Sequence, residues 1–256
     1  MLFTERERHL VVAVFLGLFA LIYGVPYALI LAASLARAWN GVFPSGLTGP
    51  HFAALAGGAD AASLSASLAT AAMASLGALL LGLLAALGTR GLPRRGQAAC
   101  DLLFFAPSAV PTVSIGLGLL VAFSRKPVLL NGTIGIVILA HLLIVFAYAY
   151  GGVRTGLARL PDGIEAMAES LGAGPWARFR RVTLPLLAPH LRGAAGLAVA
   201  MSMGELAATA MVYPPGWATL PLRIFALSDR GAVLDAAALT VVLASATFCV
   251  LGLLRK

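Results

Sequence analysis

Along most of this chain apolar residues do not alternate with polar ones; they run in long blocks. Six blocks approach the length of a membrane crossing: residues 10–35, 62–87, 102–123, 132–150, 191–212 and 236–254. A bilayer core takes about 20 apolar residues of a helix that rises about 1.5 Å per residue. Each block therefore predicts a transmembrane α-helix, the fourth a little short. The expected fold is an all-α membrane protein of six transmembrane helices in a single domain, residues 1–256. The first block exceeds the apolar core of about 7–15 residues in a secretory signal, so it reads as a retained helix.

The blocks are not uniformly oily. The second, "AASLSASLATAAMASLGALLLGLLAALG", is rich in small residues that let helix backbones approach closely in lipid. In the third, Pro107 and Pro111 remove backbone donors and predict a kink or break. That break is either a simple kink or part of a pathway lining, because irregular backbone at membrane depth needs protein or water around it. The fifth carries Glu205, a costly carboxylate that faces a wet interior or sits protonated against a neighbouring helix. His141, in the fourth, reads as a packing donor before it reads as a ligand.

Residues 151–190 form the longest polar interruption. Asp162 and Glu165 have the spacing of a capping box, which predicts a helix from near Gly163. Ile164, Met167, Ala168 and Leu171 then make one apolar stripe. Gly172 and Gly174 end that helix, and Pro175 suits the first turn of a second. Trp176 and Phe179 share a face there, flanked by Arg178, Arg180 and Arg181, and Pro185 and Pro189 are expected to break the helix before the fifth span. Such a segment either rests on lipid headgroups or fills a groove on a soluble partner.

Composition agrees with the blocks. The chain is 60% hydrophobic and 11% charged, with a mean hydropathy of +0.95, which excludes a water-facing globule. Its net charge of +8 reflects loop charge more readily than nucleic-acid binding. With the N-terminus inside, thirteen Lys and Arg fall on the cytoplasmic side, Arg6, Arg90, Arg154, Arg178, Arg255 and Lys256 among them. Five (Arg37, Arg125, Lys126, Arg223 and Arg230) fall outside. The positive-inside rule then places both termini and residues 151–190 in the cytoplasm. Cys100 and Cys249 suggest neither disulfide nor metal site and read as small buried apolar residues.

The interruption resembles the cytoplasmic signature of permease subunits of type I ABC importers: Glu-Ala-Ala, three residues, Gly, nine residues, Ile-x-Leu-Pro. Here Gly172 is the glycine, and Val182, Thr183, Leu184 and Pro185 supply the end. The Glu-Ala-Ala positions hold Ala166, Met167 and Ala168, with the nearest acid, Glu165, one place early. The resemblance implies that this loop is a coupling helix seated in an ATP-hydrolysing subunit. Its implied contact residues are Glu165, Ala166, Met167, Ala168, Leu171, Gly172, Trp176, Phe179, Leu184 and Pro185. It further implies a bacterial inner-membrane location, two ATPase subunits, a second permease copy or homologue, and a periplasmic binding protein that delivers the solute. On the outer side, "YPPGW" forces a turn and "TLPLRIFALSDRG" predicts a short helix with Leu222, Phe225 and Ala226 on one face. Arg223 and Arg230 there either meet the binding protein or are ordinary solvated charges. "MVYPPGWATLPLRIFALSDRG" is similar to 2-aminoethylphosphonate permeases, and "GELAAT" with "TLP" to the wider ferric iron, thiamine and polyamine group.

No enzymatic chemistry is legible. A phosphate-binding loop needs Gly-Lys-Ser/Thr, and neither Lys126 nor Lys256 follows a glycine. ATP hydrolysis is expected in a separate subunit, and no cofactor or metal is expected. The competing reading is an ion-coupled secondary transporter, for which Glu205 and His141 are the available intramembrane titratable groups.

Overall fold

The computed structural model describes residues 5–41, 43–53 and 57–254. The Arg6 side chain, Arg255 and Lys256, counted above for orientation, lie outside the described residues. The chain opens with α1 (Glu5–Phe19), a π turn (Ala20–Gly24) and α2 (Val25–Ser34) in one rod. Pro26 lies two residues past the end of the π turn, after Val25. A proline ring clashes with the carbonyl four residues back, and widening the preceding turn accommodates it without a break. A hairpin then pairs β1 (Ala36–Ala38) antiparallel with β2 (Ser45–Leu47), a small sheet that the apolar pattern did not foretell. After α3 (Pro50–Ala53), His51 bonds Asp235 at 2.6 Å and the Ala36 carbonyl at 3.1 Å. These contacts tie the hairpin to the start of the last helix.

The second span is α4 (Gly58–Thr89). Its buried residues are small: Ser63, Ala66, Ser67, Thr70, Ala71, Ala74, Ser75, Ala78, Gly82 and Ala86. They recur at three- and four-residue spacing, so one face of α4 closes on α7 (Ile134–Ala158). The third block becomes α5 (Arg94–Ala109) and α6 (Thr112–Ala122), bent by 99°. Pro107 stays inside α5; the bend falls at Val110 and Pro111, because the residue before a proline avoids the helical region.

The polar interruption is shorter than expected. Helix α7 runs on to Ala158 instead of ending at 150. After α8 (Ile164–Ser170), α9 (Pro175–Arg178), a second π turn (Phe179–Thr183) and α10 (Leu184–Met203) form one continuous rod. Pro185 and Pro189 therefore do not break this helix. Pro185 follows the π turn, as Pro26 does, and Pro189 is carried within α10. The real break comes at residues 204–206, ahead of α11 (Ala207–Val212). Helices α12 (Leu220–Asp229) and α13 (Val233–Leu254) complete the chain. Among the described residues five helices are long and apolar enough to span a membrane, and the bent α5–α6 pair is the sixth candidate.

The core lies where α7 meets α4 and α10. Ile136, Val137, Ala140, Ile144 and Val145 pack with Ala78, Ala198 and Ala208 at one level. Tyr150, Val153 and Leu157 pack with Ala86 and Leu187 nearer α8. Cys249 is exposed and Cys100 half-buried, so neither is the buried residue expected. A Cβ on Gly82 would stand 2.9 Å from the Tyr150 nitrogen, whereas one on Gly88 meets nothing within 4 Å. Gly82→Ala is expected to destabilise by about 1–3 kcal/mol through overpacking. Gly88→Ala should be neutral or stabilising by helix propensity. Thermal unfolding of both variants in detergent checks the contrast.

Candidate functional site

Helix α8, the turn at Gly172 and α9 make a knob at one end of the bundle. Gly163 (φ +77°) and Gly172 (φ +83°) sit in the left-handed region open to glycine. The Gly172 amide donates to the Glu169 carbonyl at 2.8 Å and the Ala173 amide to the Ala168 carbonyl at 3.0 Å. That pair of bonds is a Schellman closure, which ends α8 sharply and turns the chain into α9. The Trp176 and Phe179 rings meet at a tilt of 31°, 5.7 Å between centroids.

The expected apolar stripe splits in two. Ile164 and Ala168 are half-buried. Met167, Trp176 and Leu171 are 67%, 70% and 89% exposed. Three large apolar side chains are thus held outward on α8, α9 and the turn between them. Ala166 and Pro185 are exposed beside them, while Phe179 and Leu184 line an apolar cavity of about 440 Å³ between α4 and α10.

The capping box does not form: no side chain caps α8, and Gly163 occupies the cap position. Glu165 has stronger partners. Its Oε1 accepts from Thr183 Oγ1 at 2.7 Å and from Arg90 Nη1 at 2.9 Å. The Thr183 hydroxyl and then the Arg90 guanidinium hold its carboxyl below the usual carboxylate range. Glu169 pairs with Arg178 across the turn. Deeper in, Asp101 on α5 pairs with Arg154 and accepts from the Tyr150 hydroxyl at 2.8 Å, both on α7.

Toward the other end the two discontinuous helices meet. A Cβ on Gly116 of α6 would lie 2.8 Å from the Ala208 carbonyl oxygen of α11, so these half-helices pack backbone to backbone. Glu205, half-buried, accepts the Ala208 amide at 2.7 Å and caps α11. His141 bridges the same break, with Nδ1 2.7 Å from Ser202 Oγ and Nε2 2.8 Å from Thr209 Oγ1. Either tautomer is satisfied, since both hydroxyls donate and accept. Pro111 is exposed and Pro107 half-buried at the neighbouring bend. Between α5, α7 and α10 a groove of about 460 Å³ carries Phe105, Ser108, Tyr148, Thr155 and His190.

Beyond α11, Trp217 Nε1 donates to Thr70 Oγ1 at 3.0 Å and the Leu220 amide to Ser67 Oγ at 2.7 Å, both on α4. Arg223 pairs with Asp60 at 2.7 Å, and Arg230 is exposed past the end of α12. Leu222 is buried and Ala226 half-buried, but Phe225 is 56% exposed, so the expected shared face does not hold. Sequence reasoning missed Arg90, Thr183, Ser202 and Thr209 as partners. The seven-residue spacing of Ser202 and Thr209 about Gly-Glu was the available signal for the break. Among the described residues no three His, Cys, Asp or Glu side chains converge as metal ligands.

Residues 78–255 match the family described as binding-protein-dependent transport system inner membrane component. Over 239 residues the chain is 48% identical to a Salmonella typhimurium protein described as the 2-aminoethylphosphonate transport system permease PhnV, covering 93% of this chain and 90% of that one. It is 33% identical over 174 residues to the Escherichia coli putrescine transport system permease PotI, covering 64% and 60%. Among solved structures, a chain of the bacterial alginate ABC transporter superposes with a TM-score of 0.75 at 16% identity, covering 97% of this chain and 93% of that one.

Because the folded value for Glu165 lies below its ordinary 4.5, its contribution is complete above pH 4.5 and is lost only as pH falls through the lowered value. Hydrogen-exchange protection of α8 should stay level from pH 8 to 5 and drop below that range. A fall between pH 7 and 5 would mean that Glu165 does not hold the knob.

Proposed function

The chain belongs to the binding-protein-dependent transport system inner membrane components, and from that premise we propose that it forms half of an import pathway for 2-aminoethylphosphonate. It is a membrane-embedded permease subunit of an ABC importer. The motor in this proposal is a pair of separate ATPase subunits, and the other half of the pathway is a second copy or homologue of this chain. A periplasmic binding protein delivers the solute. The basic-residue count argues for a knob and both termini on the cytoplasmic side of the inner membrane.

One observation carries the docking reading. Met167, Leu171 and Trp176 stand in the open on a segment with no apolar surface of its own to cover them. A headgroup-bound helix would lie flat, with a long apolar face; this knob presents a blunt tip of two short helices, a shape suited to a cleft. Glu165, Ala166, Ala168, Gly172, Phe179, Leu184 and Pro185 shape or support that tip.

Alternating access needs rigid pieces with places to turn. The bend at Pro111 and the break at Glu205 lie next to each other, and the half-helices beyond them pack together. We assign this pair as the moving part of the pathway, with Pro107 and the Ser108, Tyr148, Thr155 and His190 groove below it. Hydroxyls, an imidazole and aromatic faces suit a small zwitterion carrying a phosphonate and an ammonium. Arg230 remains available to a binding protein. Arg223 serves first to pair Asp60.

The substrate assignment follows the 48% relative. The polyamine alternative follows the 33% one, and ferric iron and thiamine belong to the same resemblance group. Ion-coupled transport is the weaker reading, because Glu205 is engaged as a helix cap and both nitrogens of His141 are bonded.

In proteoliposomes holding the ATPase subunits and binding protein, uptake of 2-aminoethylphosphonate should require ATP. Leu171→Asp should cut it at least about ten-fold, since burying a leucine is worth about 1.5–3 kcal/mol. Uptake driven by a proton gradient without ATP would contradict this. Glu205→Ala, which removes a cap worth about 1 kcal/mol, should lower uptake several-fold with the ATPase still bound; unchanged uptake would remove Glu205 from the pathway.

A further inference from the structure

Of the two acids in the knob, Glu169 is mostly exposed and Glu165 turns inward. One residue along an α-helix turns a side chain by about 100°. At position 166 the chain carries an exposed alanine; at 165 it carries a glutamate aimed into the body of the molecule. Its single oxygen Oε1 receives two donors from different helices. Arg90 is the residue that ends α4. Thr183 closes the π turn through which α9 becomes α10. Helices α4 and α10 are the two that flank α7 in the core. One carboxylate oxygen thus ties the knob to both.

Stability is not what this contact chiefly supplies. The Arg90 and Glu165 side chains are 43% and 31% exposed, and ion pairs so open contribute little. Thr183, however, is 3% exposed, so loss of the carboxylate strands a buried hydroxyl. Geometry gains more. The knob is already continuous with α10 through α9 and the π turn, and the Glu169–Arg178 pair and the Thr183 bond hold α8 against that rod; the Arg90 bond adds the tie to α4. Glu169, though paired with Arg178, is 65% exposed; the large apolar side chains that face outward at the tip are Met167, Leu171 and Trp176.

We infer that Glu165 is a positioning residue that locks the knob to α4 and α10, so that a push delivered at Met167 and Leu171 moves both helices as one piece. The inference rests on the docking reading above. Without the lock the knob swivels under load, ATP is hydrolysed and little solute crosses. With it, the contact between Arg90 and Glu165 persists unbroken through the cycle.

The test uses the assembled complex in proteoliposomes, with Cys100 and Cys249 replaced by alanine. Arg90→Cys and Glu165→Cys are combined, and the two thiols are joined or left open with a short bifunctional thiol reagent. The open double variant is expected to transport about three- to ten-fold less 2-aminoethylphosphonate per ATP hydrolysed, the scale of a half-exposed ion pair with one charge-assisted bond. It should still retain the ATPase. Joining the thiols should restore the ratio. A second pair, Glu165→Arg with Arg90→Glu, should recover part of it, and Glu165→Gln alone should not. Three results would overturn the inference: an open variant as well coupled as the unaltered chain, a joined variant that stops turning over, or loss of the ATPase from the open variant. A failure of the docking reading is separate, since the unaltered complex would then hold no ATPase.

Discussion

The hydrocarbon interior offers no hydrogen bonds, so every backbone polar group taken there must find its partner within the protein. This constraint explains more of the molecule than any single contact. It makes the spans helical, and it makes each departure from a helix conspicuous by the side chains gathered around it. Where α10 stops and α11 begins, the freed Ala208 amide goes to Glu205, and His141 joins Ser202 below the break to Thr209 above it. Where the chain turns back beyond α11, Thr70 and Ser67 on α4 take the Trp217 indole and the Leu220 amide. The small residues of α4 serve two ends: they let α7 approach, and their hydroxyls anchor the turn.

Much of this was legible beforehand because lipid imposes a strong pattern. Block length indicated the number of spans, but it laid the fifth, residues 191–212, across the break after Met203, and it did not show the 99° bend in the third. The small-residue run of the second block indicated a face packed on protein, and the structure adds the detail of Gly82 against the Tyr150 backbone. The helix, glycine turn and helix of the knob were readable from Gly172 and Pro175, whose backbone demands are local. The failures were of another kind. Pro185 and Pro189 suggested a break, but a π turn upstream absorbs the strain and the rod continues. Asp162 and Glu165 suggested a capping box, but the carboxylate found Arg90, which is distant in sequence and near in space. A local pattern cannot report a competing partner that only the fold brings close. The short hairpin carried no apolar alternation strong enough to reveal it.

The same logic orders the function. In the proposed reading the work comes from a separate ATPase, and it enters where the structure leaves the membrane in a firm shape. The knob meets both needs: its tip is apolar and exposed, and its base is bonded to the helices that form the core. The region proposed to move, at the other end, is built from two interrupted helices whose second halves are packed on each other, which would let a shift of α10 reach α6 through α11.

The central claim is that a nucleotide-hydrolysing subunit seats on the tip at Leu171. The most direct measurement places a photoreactive amino acid at position 171 and irradiates inner-membrane vesicles that contain the whole transporter. The account predicts one dominant adduct, between this chain and an ATPase subunit, whose yield changes when ATP is added. Adducts formed with lipid alone, at a yield indifferent to ATP, would contradict it.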